Sequence, residues 1–343
     1  MLYAAPTLGR AEVDVLARID AIRAQIRFVS AEGTATSRTL LPLFLPGESD
    51  DPAFVGYRSA LGYILSLHDD PHFAYDETLL RALHYMTVAH DPDKQPGRWR
   101  NAPIRVRGAG LWEVLYEPPE PELVPELMRD LMARLNAKDP TPVLVRAALA
   151  HLNLVQIHPF ADGNGRMGRA LHTLVIVRDG ILDPEFASIE PAVAGDRDGF
   201  REALYELGTR WDPGADTRPF VRYCLTAHLQ QAERALDGAH RMSAVWAEAA
   251  REIERRRLPA RLTAALADAA FAGSVDAAKY RRWAGVDARR ARADLALLAE
   301  RGLLMRTGAG RHAGYGPGRI ARAIRRCAWA AHPPRALDDP FRA

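Results

Sequence analysis

The amino-acid sequence predicts a mainly α protein: a helical core interrupted by one β-hairpin and followed by a winged helix-turn-helix module. Three observations predict it. Apolar residues recur at three- and four-residue steps over most of the chain before Pro259; one clear alternation, Ile104–Tyr116, surrounds Gly108-Ala109-Gly110; and beyond Pro259 three helical patterns are followed by strand, glycine turn and strand. With 343 residues, 48% hydrophobic and 26% charged, the chain is long enough for two or three domains with sizeable cores.

The first helix is expected over Ala11 to about Ala31, where Val15, Ile19, Ile22 and Ile26 share a face, and Gly33 ends it. Leu41-Pro42-Leu43-Phe44-Leu45-Pro46 reads as extended, and helices resume at Val55 to Leu67 and Glu77 to His90. The hairpin follows, closed by Pro118-Pro119. A helix from about Pro121 to Asn136 precedes Pro142 to Gln156, which is apolar on nearly all faces and so belongs at the centre of a core. The next helix starts at Gly165 and stops near Arg178, with Gly180 as its C-cap. Helices near Asp198 to Leu207 and Pro219 to Leu236 lead to a long Ala/Arg/Glu-rich helix ending about Arg257. The tail helices are Leu262 to Ala270, Val275 to Trp283 and Ala288 to Arg301, the third being the candidate groove reader.

Charge is divided unevenly. From Arg241 to Ala343 there are 21 Lys+Arg against 10 Asp+Glu, whereas the whole chain carries only +3. A basic tail on an acidic body is compatible with DNA contact, as it is with a solvated face, partner docking or a homodimer. No stretch approaches the roughly 18 to 20 apolar residues that a membrane span needs, and no basic region followed by an apolar run opens the chain; a cytoplasmic protein with no membrane partner is the expectation. Cys224 and Cys327 are too few and too far apart for a disulfide framework, and both read as core fillers.

The chemistry concentrates in His158-Pro159-Phe160-Ala161-Asp162-Gly163-Asn164-Gly165-Arg166-Met167-Gly168-Arg169. Gly163, Asn164 and Gly165 open a helix, where unpaired N–H groups favour an anion and glycine admits close approach. Arg166 and Arg169, three residues apart, can share a face and present forked donors to phosphate oxygens. Asp162 is a hard oxygen ligand suited to Mg²⁺, which binds through few carboxylates plus substrate phosphates. His158 is placed to act as general base near neutral pH. Together these residues describe attack by a hydroxyl on a metal-bound di- or triphosphate.

This run resembles the Fic family signature at every defining position, and further features in order extend the likeness: Pro96-Gly97-Arg98-Trp99-Arg100, the hairpin, the helix containing Leu127-Met128, and Arg218-Pro219-Phe220-Val221-Arg222. The resemblance covers roughly Leu40 to Leu236. It implies a nucleotidyltransferase, a protein adenylyltransferase that moves AMP from ATP to a Ser, Thr or Tyr hydroxyl of a protein target. His158 would be the base, Asp162 the Mg²⁺ ligand, Gly163, Asn164 and Gly165 the anion hole, and Arg166 and Arg169 the phosphate clamps. Ile104, Val106, Leu111, Val114 and Tyr116 would form a flap holding the target segment by strand pairing. On this basis residues 1–39 form a regulatory region, 40–237 the Fic core, 238–258 a connecting helix, 259–330 the winged-helix domain and 331–343 a tail.

Similar proteins carry an inhibitory helix with Ser or Thr, three residues, then Glu-Gly or Glu-Asn. Ala31-Glu32-Gly33-Thr34 lies at the corresponding place, although Phe28 stands where Ser or Thr is expected. Glu32 would autoinhibit by occupying Arg169, and in some relatives that glutamate also supports AMP removal. Paired tyrosines of some relatives are replaced near Phe200-Arg201, so UTP, GTP or a CDP-linked donor stays open. The competing class is a DNA-binding transcriptional regulator whose core senses nucleotide without turnover.

Overall fold

A computed structural model describes residues 1–29, 49–107, 114–308 and 314–342. The chain divides into two units, Met1–Ala232 with Asp338–Ala343, and Glu233–Leu337.

In the first unit, α1 spans Arg10–Val29. The next two helices begin where an aspartate side chain satisfies a first-turn amide: Asp51 accepts from Ala53 N–H ahead of α2 (Pro52–Ser66), and Asp76 from Leu79 N–H ahead of α3 (Glu77–Val88). The hairpin is short. Strand β1 (Val106–Arg107) pairs antiparallel with β2 (Val114–Tyr116), Val106 opposite Tyr116 and Arg107 opposite Val114, with an irregularity between. Helix α4 (Val124–Asn136) leads to α5 (Val143–Ile157) and α6 (Asn164–Arg178), the most extensively packed pair of elements. Leu152, Leu154, Ile157, Met167, Leu171 and Leu174 are inaccessible there, each burial contributing about 1.5–3 kcal/mol.

Close approach of α5 and α6 requires Gly168. A Cβ at that position would lie 2.4 Å from His151 Cδ2 and 2.7 Å from Val155 Cγ2, and His151 is itself fully buried. Alanine gains about 1 kcal/mol of helix propensity over glycine, but overpacking a rigid core costs about 1–3 kcal/mol or more, and here two neighbours must move. We therefore expect Gly168→Ala to lower the melting temperature by several degrees; an unchanged or raised value would show that the helices yield without cost.

Short helices α7 (Pro184–Ala187), α8 (Glu190–Gly195) and α9 (Arg197–Tyr205) follow. Helix α10, Arg218–Arg255, is continuous where the sequence pattern suggests two stretches, and it carries the chain into the second unit. The N-terminal segment is latched into the first unit. Asn153 on α5 accepts from Tyr3 N–H (2.9 Å) and donates to Tyr3 C=O (3.2 Å), Arg134 also donates to that carbonyl (2.8 Å), and Thr217 donates to Ala4 C=O (2.8 Å). Tyr3 is completely buried, its ring edge-on to Trp211 at 4.9 Å.

The second unit places α11 (Leu262–Ala272), α12 (Ala277–Ala284) and α13 (Ala288–Glu300) before an antiparallel hairpin, β3 (Leu304–Thr307) and β4 (Gly314–Pro317), closed by α14 (Arg319–Ala331). Val275 adds an isolated bridge to Tyr315. Leu262, Leu266, Leu295, Leu298 and Leu303 fill the core. Asp294 inside it accepts two bonds from Arg261 at 2.8 Å and one from Tyr280 at 3.0 Å, so the buried charge is matched. Cys224 is buried as expected; Cys327 is exposed, because α14 turns Ala321, Ile324 and Ala328 inward and position 327 falls on its outer side. Among the described residues no helix is long and apolar enough to cross a membrane.

Candidate active site

The loop 158–163 connects the two central helices of the first unit, and both its ends are left-handed. His158, the C-cap of α5, has φ 52°, and Gly163, the N-cap of α6, has φ 79°. A non-glycine residue in that region is uncommon and must be held by its surroundings. Arg100 does the holding. Its backbone N–H donates to Pro159 C=O at 2.8 Å, its Nε donates to His158 C=O at 2.8 Å, and its Nη atoms reach Ala102 C=O and Pro119 C=O. The Asn164 amide closes the loop from inside, accepting from Phe160 N–H at 3.0 Å and donating to Phe160 C=O at 2.8 Å. The Asn164 side chain is thus spent on shaping the turn, leaving its backbone N–H for the helix entrance.

The imidazole of His158 is oriented through Nδ1, 3.0 Å from Val155 C=O. A carbonyl can only accept, so Nδ1 carries the proton and Nε2 holds the free lone pair. Burial pushes the His158 pKa down to about 4, leaving the ring neutral at pH 7. Asp162 follows at the mouth of α6. Its Oδ1 accepts from Gly163 N–H at 2.6 Å, and its Oδ2 lies 2.9 Å from Lys94 Nζ. Burial would raise the Asp162 pKa, but Lys94 and the Gly163 amide outweigh it and hold the carboxyl below its ordinary range. Beneath the loop, His84 accepts from Gly97 N–H at Nδ1 (2.9 Å), so its Nε2 donates to Asp162 C=O (3.0 Å). The ring stacks on Phe160 at 3.7 Å, and burial lowers its pKa to about 4.

Gly163, Asn164, Gly165 and Arg166 stand at the N-terminal turn of α6, whose first amides have no intrahelical acceptor. Arg166 is half-buried at that mouth. One turn later, Arg169 Nε donates to Glu190 Oε1 at 2.8 Å, and Tyr57 OH donates to the same oxygen. His158, Asp162, Gly163, Asn164, Gly165, Arg166 and Arg169 are therefore brought to the ends of two adjoining helices. The hairpin residues sit farther along the chain's surface: Ile104 and Val106 are half-buried, and Val114 belongs to β2. Tyr116 turns inward, 7% exposed, and donates to Gln156 C=O at 2.9 Å, so its side chain anchors the hairpin. Leu111 and Glu32 lie outside the described residues.

Sequence reasoning passed over Lys94, His84, Tyr57 and Glu190. Each is a single polar residue with no spacing relation to the loop, brought in by the packing of α2, α3 and α8 and, for Lys94, by the 3-10 turn Pro92–Lys94 that follows α3. Arg100 was visible within Pro96–Arg100, though its holding role was not.

Fold and site define a helical domain in which one loop carries a neutral imidazole and the entrance of a helix. Residues 74–176 match the model of the Fic/DOC family. Over 121 residues it is 34% identical to the protein adenylyltransferase fic-1 of Caenorhabditis elegans, covering 35% of this chain and 22% of that protein. A Fido domain-containing protein of Dictyostelium discoideum is 37% identical over 101 residues, or 28% of this chain and 66% of that one. The chain spans 22%, 33% and 39% of the length of three adenylyltransferase relatives it matches. The crystal structure of a Fic family protein from Desulfovibrio desulfuricans G20 shares the fold, with a TM-score of 0.55 and 22% identity over 92% of this chain and 99% of that one.

Proposed function

We propose that this protein is an adenylyltransferase that moves AMP from ATP to a hydroxyl side chain of a protein target. The observation that carries the reading is the state of His158: neutral, with Nδ1 committed to Val155 and the Nε2 lone pair free beside the α6 entrance. Nε2 accepts the proton of the attacking hydroxyl as its oxygen bonds to the α-phosphorus. The bond from that phosphorus to the bridging oxygen breaks, and pyrophosphate leaves. The first-turn amides of α6 and the guanidinium groups of Arg166 and Arg169 stabilise the accumulating negative charge.

The donor chemistry fits Mg²⁺, since Asp162 supplies one hard carboxylate of the kind that ion uses alongside phosphates. Among the described residues no group of three or more His, Cys, Asp or Glu offers a fuller cage. When bound, the ion would neutralise phosphate charge. Lys94 is the cation that it must displace from Asp162 Oδ2. The β1–β2 hairpin would offer its backbone to the target.

Incubation of the protein with Mg²⁺ and ATP labelled at the α-phosphate tests the reading; label should appear on protein, and none should follow from γ-labelled ATP. Transfer of the γ label would instead make it a kinase. We further propose that Glu32 restrains the site. Glu32→Gly should raise self-modification several-fold, and equal incorporation by both proteins would remove Glu32 as a brake.

A second reading is favoured by the exposed Arg281, Arg282, Arg289, Arg290, Arg292 and Arg306, which follow a three-helix-then-hairpin order compatible with a winged helix. Salt-sensitive DNA binding without label from either donor would support the regulator.

A further inference from the structure

Arg169 does not stand alone at the α6 entrance. Its Nε donates to Glu190, the first residue of α8, while Tyr57 on α2 donates to the same carboxylate oxygen. The three groups are largely withdrawn from water: the Arg169 and Glu190 side chains are 18% and 13% exposed and Tyr57 is 4% exposed. The backbone that carries Glu190 is held in turn. Ser188 Oγ accepts from Glu190 N–H at 3.2 Å, and Gln231 on α10 donates to Ser188 C=O at 2.8 Å. Burial and Glu190 together push the Tyr57 pKa well up, so the phenol remains a donor; burial works against the charge on Arg169, but Glu190 and Tyr57 outweigh it.

The point of attachment decides between two roles. A carboxylate that competes with phosphate for the end of the guanidinium would take the terminal Nη1/Nη2 fork, whereas one on the Nε side leaves Nη1 open. Among the described residues Glu190 is bonded to Nε, on the inner edge. Nη1 lies 3.5 Å from where a Cβ on Gly165 would stand, in the first turn of α6. Arg169 is thus anchored through Nε, with Tyr57 beside it, and places Nη1 at the first turn of α6.

We infer that Glu190, braced by Tyr57, positions Arg169 for the nucleotide phosphates. The inference rests on the nucleotide reading above. It assigns Glu190 and Tyr57 to orientation, with neither touching the reacting atoms. Arg169 keeps its charge, and the pairing adds a fixed geometry whose ordering cost is met before the anion binds.

Calorimetric titration of the full chain with ATP and Mg²⁺, in a His158→Ala background to prevent turnover, tests it. Loss of one well-placed charged hydrogen-bonding partner is worth about tenfold in Kd. Glu190→Ala is expected to weaken ATP binding by about that factor, and Glu190→Gln, which retains an oxygen acceptor for Nε, to stay within about threefold. Tyr57→Phe preserves packing and should weaken binding by about threefold. In an Arg169→Ala background, Glu190→Ala should have no further effect. Tighter or unchanged ATP binding in Glu190→Ala, with Arg169→Ala still weakened, overturns positioning and leaves the nucleotide site intact. Failure of the protein with Glu190 present to bind ATP overturns the nucleotide reading and this inference with it.

Discussion

Replacing His158 with alanine is expected to reduce transfer from α-labelled ATP by about 10²- to 10⁴-fold, the usual worth of a positioned general base. ATP binding should change little, because no phosphate contact is assigned to this ring. Alanine in the left-handed conformation at φ 52° adds strain, so His158→Asn, a residue that tolerates that region better, serves as the second variant. The Asn variant should melt near the parent temperature, and both variants should show that loss of transfer. Single-turnover rates above a tenth of the parent value in either variant would remove His158 as the base. The pH profile provides a second check. A base with a pKa near 4 remains deprotonated at pH 6 and 5, so the falling limb of an ordinary histidine near 6.5 should be missing.

The second large effect is on acid stability. His151 on α5, His172 on α6 and His228 on α10 are completely buried, with His172 Nε2 and His228 Nε2 2.8 Å apart. Burial lowers His228 to about 4 and His151 to about 3, and burial with the neighbouring rings lowers His172 well below its ordinary value. In the unfolded chain these groups titrate near 6.5. Between pH 6.5 and 4 the unfolded state therefore binds more protons than the native state, and stability falls as pH falls. At about 1.4 kcal/mol per pH unit of displacement, His228 alone accounts for about 3 kcal/mol once both states are protonated. That is a large share of the roughly 5–15 kcal/mol available to a folded domain. We expect the melting temperature to drop steeply from pH 6.5 to 4.5. His151→Leu should make that slope shallower, and a melting temperature constant across the interval would contradict the effect.

Much of the core was legible because its signals are local. Pro142 to Gln156 is apolar all round, and the helix that forms there, Val143–Ile157, is buried nearly throughout. Gly163 and Gly180 mark the ends of α6 through backbone conformations that other residues adopt at a cost. The pairing of Glu190 with Arg169 was not legible, since 21 residues separate them and Ser188-Ile189-Glu190-Pro191 reads as any helix start. Nor were the three histidines, each of which looks like an isolated polar residue in its own helix and becomes a cluster only when α5, α6 and α10 meet. Asn164 shows a subtler limit. Its place in a glycine-framed anion motif was evident, whereas its side-chain bonds to Phe160 require the loop's closed shape.

The Tyr3 latch bears on how any N-terminal restraint can be released. Removing the first 39 residues to expose the site would also strip Asn153 and Arg134 of the Tyr3 carbonyl and empty the buried space that the Tyr3 ring fills beside Trp211. Loss of activity in such a truncated protein would report a damaged core, and gain would be masked by it. The Tyr3 anchor and the restraint proposed at Glu32 share one short stretch of chain, so that proposal is tested apart from folding by exchanging single side chains and not by cutting.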